Sequence, residues 1–149
     1  MQPTVNEEPE GLVRIPGGAV ELEGTLTLPP DPVGVVLFAH GSGSSRFSPR
    51  NGFVAEGLQQ VGLGTLLTDL LTRPEEAVDE RTRHLRFDIG LLARRLVHAT
   101  DWLLQNPDTR ILSIGYFGAS TGGGAALVAA AQRANVVGAV VSRGGRPDL

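Results

Sequence analysis

Cysteine is absent from this sequence, which rules out disulfides, thiolate catalysis and cysteine-ligated metal at once. Lysine is absent too. All 13 basic residues are arginine, a bias that genome composition explains more simply than any demand for planar donors. Aromatic residues make up only 5% of the chain, so a core has to be packed from valine, leucine and alanine. No apolar run approaches the ~20 residues that cross a bilayer, and no basic block or aromatic-basic face offers itself to nucleic acid. Neither membrane nor nucleic acid is therefore expected as a partner. Met1 to Gly11 lacks the basic-then-apolar order of a signal peptide, and a cytoplasmic location is the expectation.

What is present describes one globular domain. The 149 residues are 41% hydrophobic, carry 20 glycines and have a net charge of −3 with the signs interspersed. Residues 1–10, with two prolines and three glutamates, read as a disordered lead-in, and 11–149 as the folded domain. Leu12–Ile15 and Val20–Leu28 alternate with period two around Pro16-Gly17-Gly18, the pattern of an antiparallel hairpin. Gly34–Ala39 is a continuous apolar run, as in a strand buried on both faces.

Helix and strand then alternate. Phe53, Val54, Leu58 and Val61 recur at helical spacing over about 51–61, and Thr65–Leu70 reads as a strand. A charged segment follows from Thr72 to Arg86. Leu85, Ile89, Leu92, Leu96, Ala99 and Leu103 then form a single helical stripe, which ends at Asn106-Pro107-Asp108. Arg110–Phe117 is the next strand, Ser120–Ala134 a helix and Val136–Val141 a sixth strand. Such alternation requires right-handed crossovers and a mostly parallel sheet between two helical layers, here with an antiparallel hairpin at one edge. The fold class is α/β, a three-layer sandwich.

In such a sheet, ligands bind beyond the carboxyl ends of the strands. Three loops gather there: His40-Gly41-Ser42-Gly43-Ser44-Ser45, the segment after Asp69, and Gly118-Ala119-Ser120-Thr121-Gly122. The last is G-x-S-x-G, a pattern suited to a strand that turns abruptly into a helix and pushes the serine out at the strand's end. Acyl transfer at a serine also needs donors for the oxyanion that develops. The N–H of Thr121, at a helix start, and the N–H of Ser42, in a glycine-flanked turn, can supply them.

Val36–Arg46, Gly115–Gly123 and Val140–Leu149 together resemble the dienelactone-hydrolase-like branch of the α/β-hydrolase family, a likeness that runs from the hairpin onward. The resemblance implies strand order 1-2-4-3-5-6, a nucleophile at Ser120, oxyanion donors at Thr121 and Ser42, and hydrolysis of a small ester or lactone with no cofactor. It also implies two more strands past the sixth, carrying first an aspartate and then a histidine. Neither lies within the 149 residues. Two alternatives therefore stand beside a serine hydrolase: a catalytically incomplete half that needs a partner chain, and an α/β module that holds an anion without chemistry.

Further candidates are weighed on position. His40 adjoins the oxyanion turn, where shaping the loop is its simpler role, and His84 sits in the charged segment near the site's rim. His98 flanks the helical stripe, on the surface side. Asp69 is the best placed carboxylate, and loop or helix capping accounts for it equally well. Arg46 and Arg143 stand on loops at the active-site edge and would favour a carboxylate or phosphate. Salt bridges are the simpler reading of Arg46, whereas Arg143, just beyond a strand end, points to the pocket. The strand 136–141, apolar on both faces, is expected to pair with a second copy or a partner chain.

Overall fold

A computed structural model of the chain describes residues 10–41 and 45–144; nine of the ten residues of the expected lead-in, the donor candidate Ser42 and the last five residues lie outside them. Six strands form one mixed sheet in the order β1-β2-β4-β3-β5-β6, the expected order. β1 (Leu12–Pro16) and β2 (Glu21–Thr27) are the antiparallel hairpin, and β2 also runs antiparallel to β4 (Leu63–Thr68). β3 (Gly34–Ala39) lies parallel between β4 and β5 (Ser113–Ala119), and β6 (Val137–Arg143) extends the sheet parallel to β5.

The apolar run of β3 is continuous because both of its faces are covered. Val35, Leu37 and Ala39 join the larger core under α3 (Ile89–Gln105) and α4 (Thr121–Gln132). Phe38 points the other way, with Val36, toward α1 (Pro49–Gln60), where it meets Ala55, Leu67 and, at 5.2 Å between ring centroids, Phe117. Period-two alternation thus feeds two cores from one strand. In α3, Leu92, Leu96, Ala99 and Leu103 are buried as the stripe requires, while Leu85 belongs to a separate 3₁₀ turn, Leu85–Phe87.

Two departures from expectation bear on the site. α1 starts at Pro49, two residues early, because Ser48 accepts the Asn51 N–H at 3.3 Å and Pro49 suits the first helical turn. Its inward face is Asn51 and Ala55, leaving Phe53 79% and Val61 70% exposed. The segment after Thr72 is α2 (Arg73–Thr82), a capped helix. Thr72 Oγ1 accepts the Glu75 N–H at 3.3 Å while Glu75 accepts the Thr72 N–H at 2.9 Å, so two orphan donors are satisfied reciprocally.

Candidate active site

The registers bring the strand ends level: Ala39 pairs with Thr68 on one side and Gly118 on the other, and Gly118 pairs with Ser142. The described residues that follow β3, β4 and β5 and the end of β6 therefore meet at one edge.

Ser120 stands at the centre of this edge with φ +56° and ψ −125°, a conformation costly for any residue with a Cβ. The surroundings hold it there. Its N–H donates to the Arg143 carbonyl at 2.9 Å, and its own carbonyl accepts the Gly123 N–H at 3.0 Å. A Cβ on Gly118 would stand 2.5 Å from the Gly122 carbonyl oxygen, and one on Gly122 would stand 2.3 Å from the carbonyl oxygens of Ala39 and of His40. Both flanking glycines are thus demanded by close backbone approach, and the turn is wedged against the end of β3. Gly41 closes over it: a Cβ there would lie 3.1 Å from the Ser120 Cβ.

Serine is a favoured helix cap, yet Ser120 makes no side-chain capping bond to α4. Its hydroxyl is left for other use. Thr121 opens α4, so its N–H has no acceptor within the helix and points from the positive end of the dipole. The Ser120 cleft encloses about 600 Å³ between the Gly41 turn, the start of α1 and the end of β6. Arg50 and Arg143 line it, and no described carboxylate does.

The other candidates are disposed as follows. His40 is buried at 6% exposure, accepts the Leu70 N–H on Nε2 at 3.0 Å and has Nδ1 3.0 Å from the Gly41 carbonyl. The Leu70 donor fixes the tautomer with the proton on Nδ1. Burial lowers the pKa, against the opposing Gly41 bond and Asp69 charge, so His40 is a neutral strut tying two active-site loops together. Arg46 is likewise consumed: Nη1 pairs with Asp69, Nη2 bonds Glu23 at 3.1 Å, and its backbone N–H donates to Asp69 at 2.9 Å. Asp69 therefore anchors the loop. His84 is exposed beyond α2 and lines neither of the clefts at this edge. His98, expected on the surface side, is half-buried because its ring turns toward Gly18 of the hairpin. Arg143 lines the Ser120 cleft.

Arg50 also lines this cleft: a helix start at residue 51 leaves it in a loop, whereas Ser48-Pro49 signals the earlier start that puts it in the first turn of α1.

Among solved structures, a dienelactone hydrolase from Anabaena variabilis superimposes with a TM-score of 0.90 and 70% identity, covering 92% of this chain and 63% of that one. Over the matched residues the chain shares the α/β-hydrolase fold of that dienelactone hydrolase. Est1E from Butyrivibrio proteoclasticus shares the fold at 19% identity and a TM-score of 0.71, over 88% of this chain and 49% of its own. Two Mycobacterium tuberculosis proteins named as phosphoribosyl transferases are 61% identical over 137 residues, which is 92% of this chain and 30% of theirs. The chain thus spans less than a third of the curated relatives it matches. No protein-family model matches it. Among the described residues, no helix is long and apolar enough to cross a membrane.

Proposed function

We propose that the chain supplies the nucleophile and oxyanion donors of a serine hydrolase acting on an ester or lactone. The observation that carries this reading is Ser120 itself, held at φ +56° between two sterically required glycines with its hydroxyl unspent on the helix it precedes. In the reaction, Ser120 Oγ attacks the acyl carbonyl and its proton passes to a base. The oxyanion takes hydrogen bonds from the Thr121 N–H and from the Ser42 N–H, the alcohol leaves protonated, and water then releases the acid. No imidazole among the described residues lines the Ser120 cleft, so the base is supplied by polypeptide outside them.

A second reading has its own support in Arg50 and Arg143. Two exposed guanidinium groups without a carboxylate, beside a helix start, suit an anion such as a phosphate held without chemistry. The transferase name of the mycobacterial relatives does not decide for it, since this chain matches only 30% of those proteins.

A fluorophosphonate probe with adduct mapping separates the two readings. Labelling of Ser120, lost in Ser120→Ala, supports the hydrolase; a folded protein that binds inorganic phosphate at this cleft yet leaves Ser120 unlabelled supports the anion module.

A further inference from the structure

On the far side of the catalytic turn lies a second cleft of about 380 Å³, bounded by the Gly41 turn, α2 and the start of α3. Phe47, Leu71 and Leu92 give it apolar lining, α2 contributes Glu76, Asp79 and Glu80, and Arg86 lines it as well. Asp79 is neutralised, since it accepts the Arg86 backbone N–H at 3.0 Å and its Nε–H at 2.8 Å. Glu76 and Glu80, which also line the cleft, have no cation bonded to them among the described residues. Arg46, whose charge also acts on Glu76, is spent on Asp69 and Glu23.

Glu76 is half-buried in this setting. Burial first, then the charges of Asp69 and Glu80, push its carboxyl up, against the opposing pull of Arg46 and Arg73. A carboxylate kept where its charge is disfavoured is the group that an incoming cation would relieve. Thr121 adds an independent sign. It lines the same cleft at 1% exposure, and its Oγ1 is buried with no hydrogen-bond partner among the described residues. Native interiors rarely leave such an atom unsatisfied. The unpartnered hydroxyl and the two carboxylates without bonded cations outnumber the one arginine in the lining, Arg86, whose Nε–H is taken by Asp79.

We propose that this cleft is a second ligand subsite, taking an organic ammonium or guanidinium group carried on an apolar body. The apolar walls hold the body, while Glu76 and Glu80 hold the charge, with Thr121 Oγ1 as a further acceptor. The two clefts share Gly41, Ser48 and Pro49 but differ in balance of charge: Arg50 and Arg143 without a described carboxylate on the Ser120 side, Glu76, Asp79 and Glu80 against Arg86 on the Thr121 side. A cation is thereby sorted away from the nucleophile's cleft. The subsite does not depend on Ser120 reacting.

Titration calorimetry of the full chain and of its Ser120→Ala variant with 4-phenylbutylamine, 4-phenylbutanol and 4-phenylbutyrate tests the proposal. The ammonium should bind at least about tenfold tighter than the alcohol and the carboxylate. It should bind both proteins alike, so that failed acylation leaves the subsite standing. Glu76→Gln and Glu80→Gln should each cut that preference, and together abolish it, while Arg50→Ala leaves it in place. Equal affinity for ammonium and alcohol, no binding of the amine, or a preference that survives the double variant would overturn it. A magnesium titration that displaced no amine would agree with an organic occupant; one that bound magnesium in preference to the amine would refute it.

Discussion

Ser120 holds a backbone conformation that glycine tolerates and serine does not, and the strain is balanced by the bonds to Arg143 and Gly123. Replacing Ser120 by glycine should therefore raise stability by about 1 kcal/mol, the strain relieved less the extra chain entropy of glycine. Ser120→Ala, which keeps the Cβ, should leave stability near its starting value. Thermal unfolding of the two variants side by side checks this, and a glycine variant no more stable than alanine would refute the strain. Glu76 gives a second case with the sign reversed by charge. Its folded-state pKa lies above the unfolded one, so the folded state binds more protons in that window and stability falls as pH rises through it. Glu76→Gln should then raise the Tm at pH 7, and the gain should vanish as the pH drops below the carboxylate range. A destabilised Glu76→Gln protein at pH 7 would contradict the assignment.

α2 is the element on which the acidic cleft depends, and one ion pair secures it. Glu75 caps its own helix and also forks onto Arg95 of α3, Oε1 to Nη1 at 2.7 Å and Oε2 to Nη2 at 2.8 Å, with Nη1 also donating to the Leu70 carbonyl at 3.2 Å. The bond to Arg95 is the main cause that lowers the Glu75 pKa to about 2. The stabilisation is thus fully present above the ordinary carboxylate range and is lost as pH falls toward 2. Glu75→Gln should cost about 2 kcal/mol at pH 7, because the 7% exposed Arg95 loses its counter-charge, and should flatten the acid limb of the stability profile. Urea unfolding at pH 7 and pH 3 measures both.

The same helix marks where sequence reasoning stopped. Thr72-Arg73-Pro74-Glu75 is a capping box with proline at the first turn, a signal hidden by the density of charge around it. The strands and α3 were readable because burial on one or both faces writes a period of 2 or 3.6 into the chain. α2 buries only Asp79 and writes no such period. For the site, G-x-S-x-G placed Ser120 and Thr121 and the strand-end rule placed Arg143. The engagement of His40 and Arg46 by Leu70, Asp69 and Glu23 depends on pairings 23 to 30 residues apart, which no local pattern encodes.

The sheet ends in β6, whose outer edge pairs with no described strand. Val141 is 55% exposed on it, and Leu127 and Val128 are 44% and 39% exposed on α4, the helix packed against the same strand. An edge this apolar, with backbone groups unpaired among the described strands and no lysine, is of the kind that recruits another strand. On the proposed hydrolase reading the base for Ser120 would also come from outside the described residues, and Arg143 at the end of β6 lines the Ser120 cleft. One polypeptide laid along β6 would thus cover the apolar edge and stand within reach of the serine. The chain should accordingly self-associate or capture a strand-bearing partner through β6 at micromolar concentration. Val141→Lys, a charge on the exposed edge, should weaken that association at least about tenfold without unfolding the domain. Sedimentation velocity across a concentration series reads both effects, and a strictly monomeric chain at tens of micromolar, indifferent to Val141→Lys, would defeat the proposal.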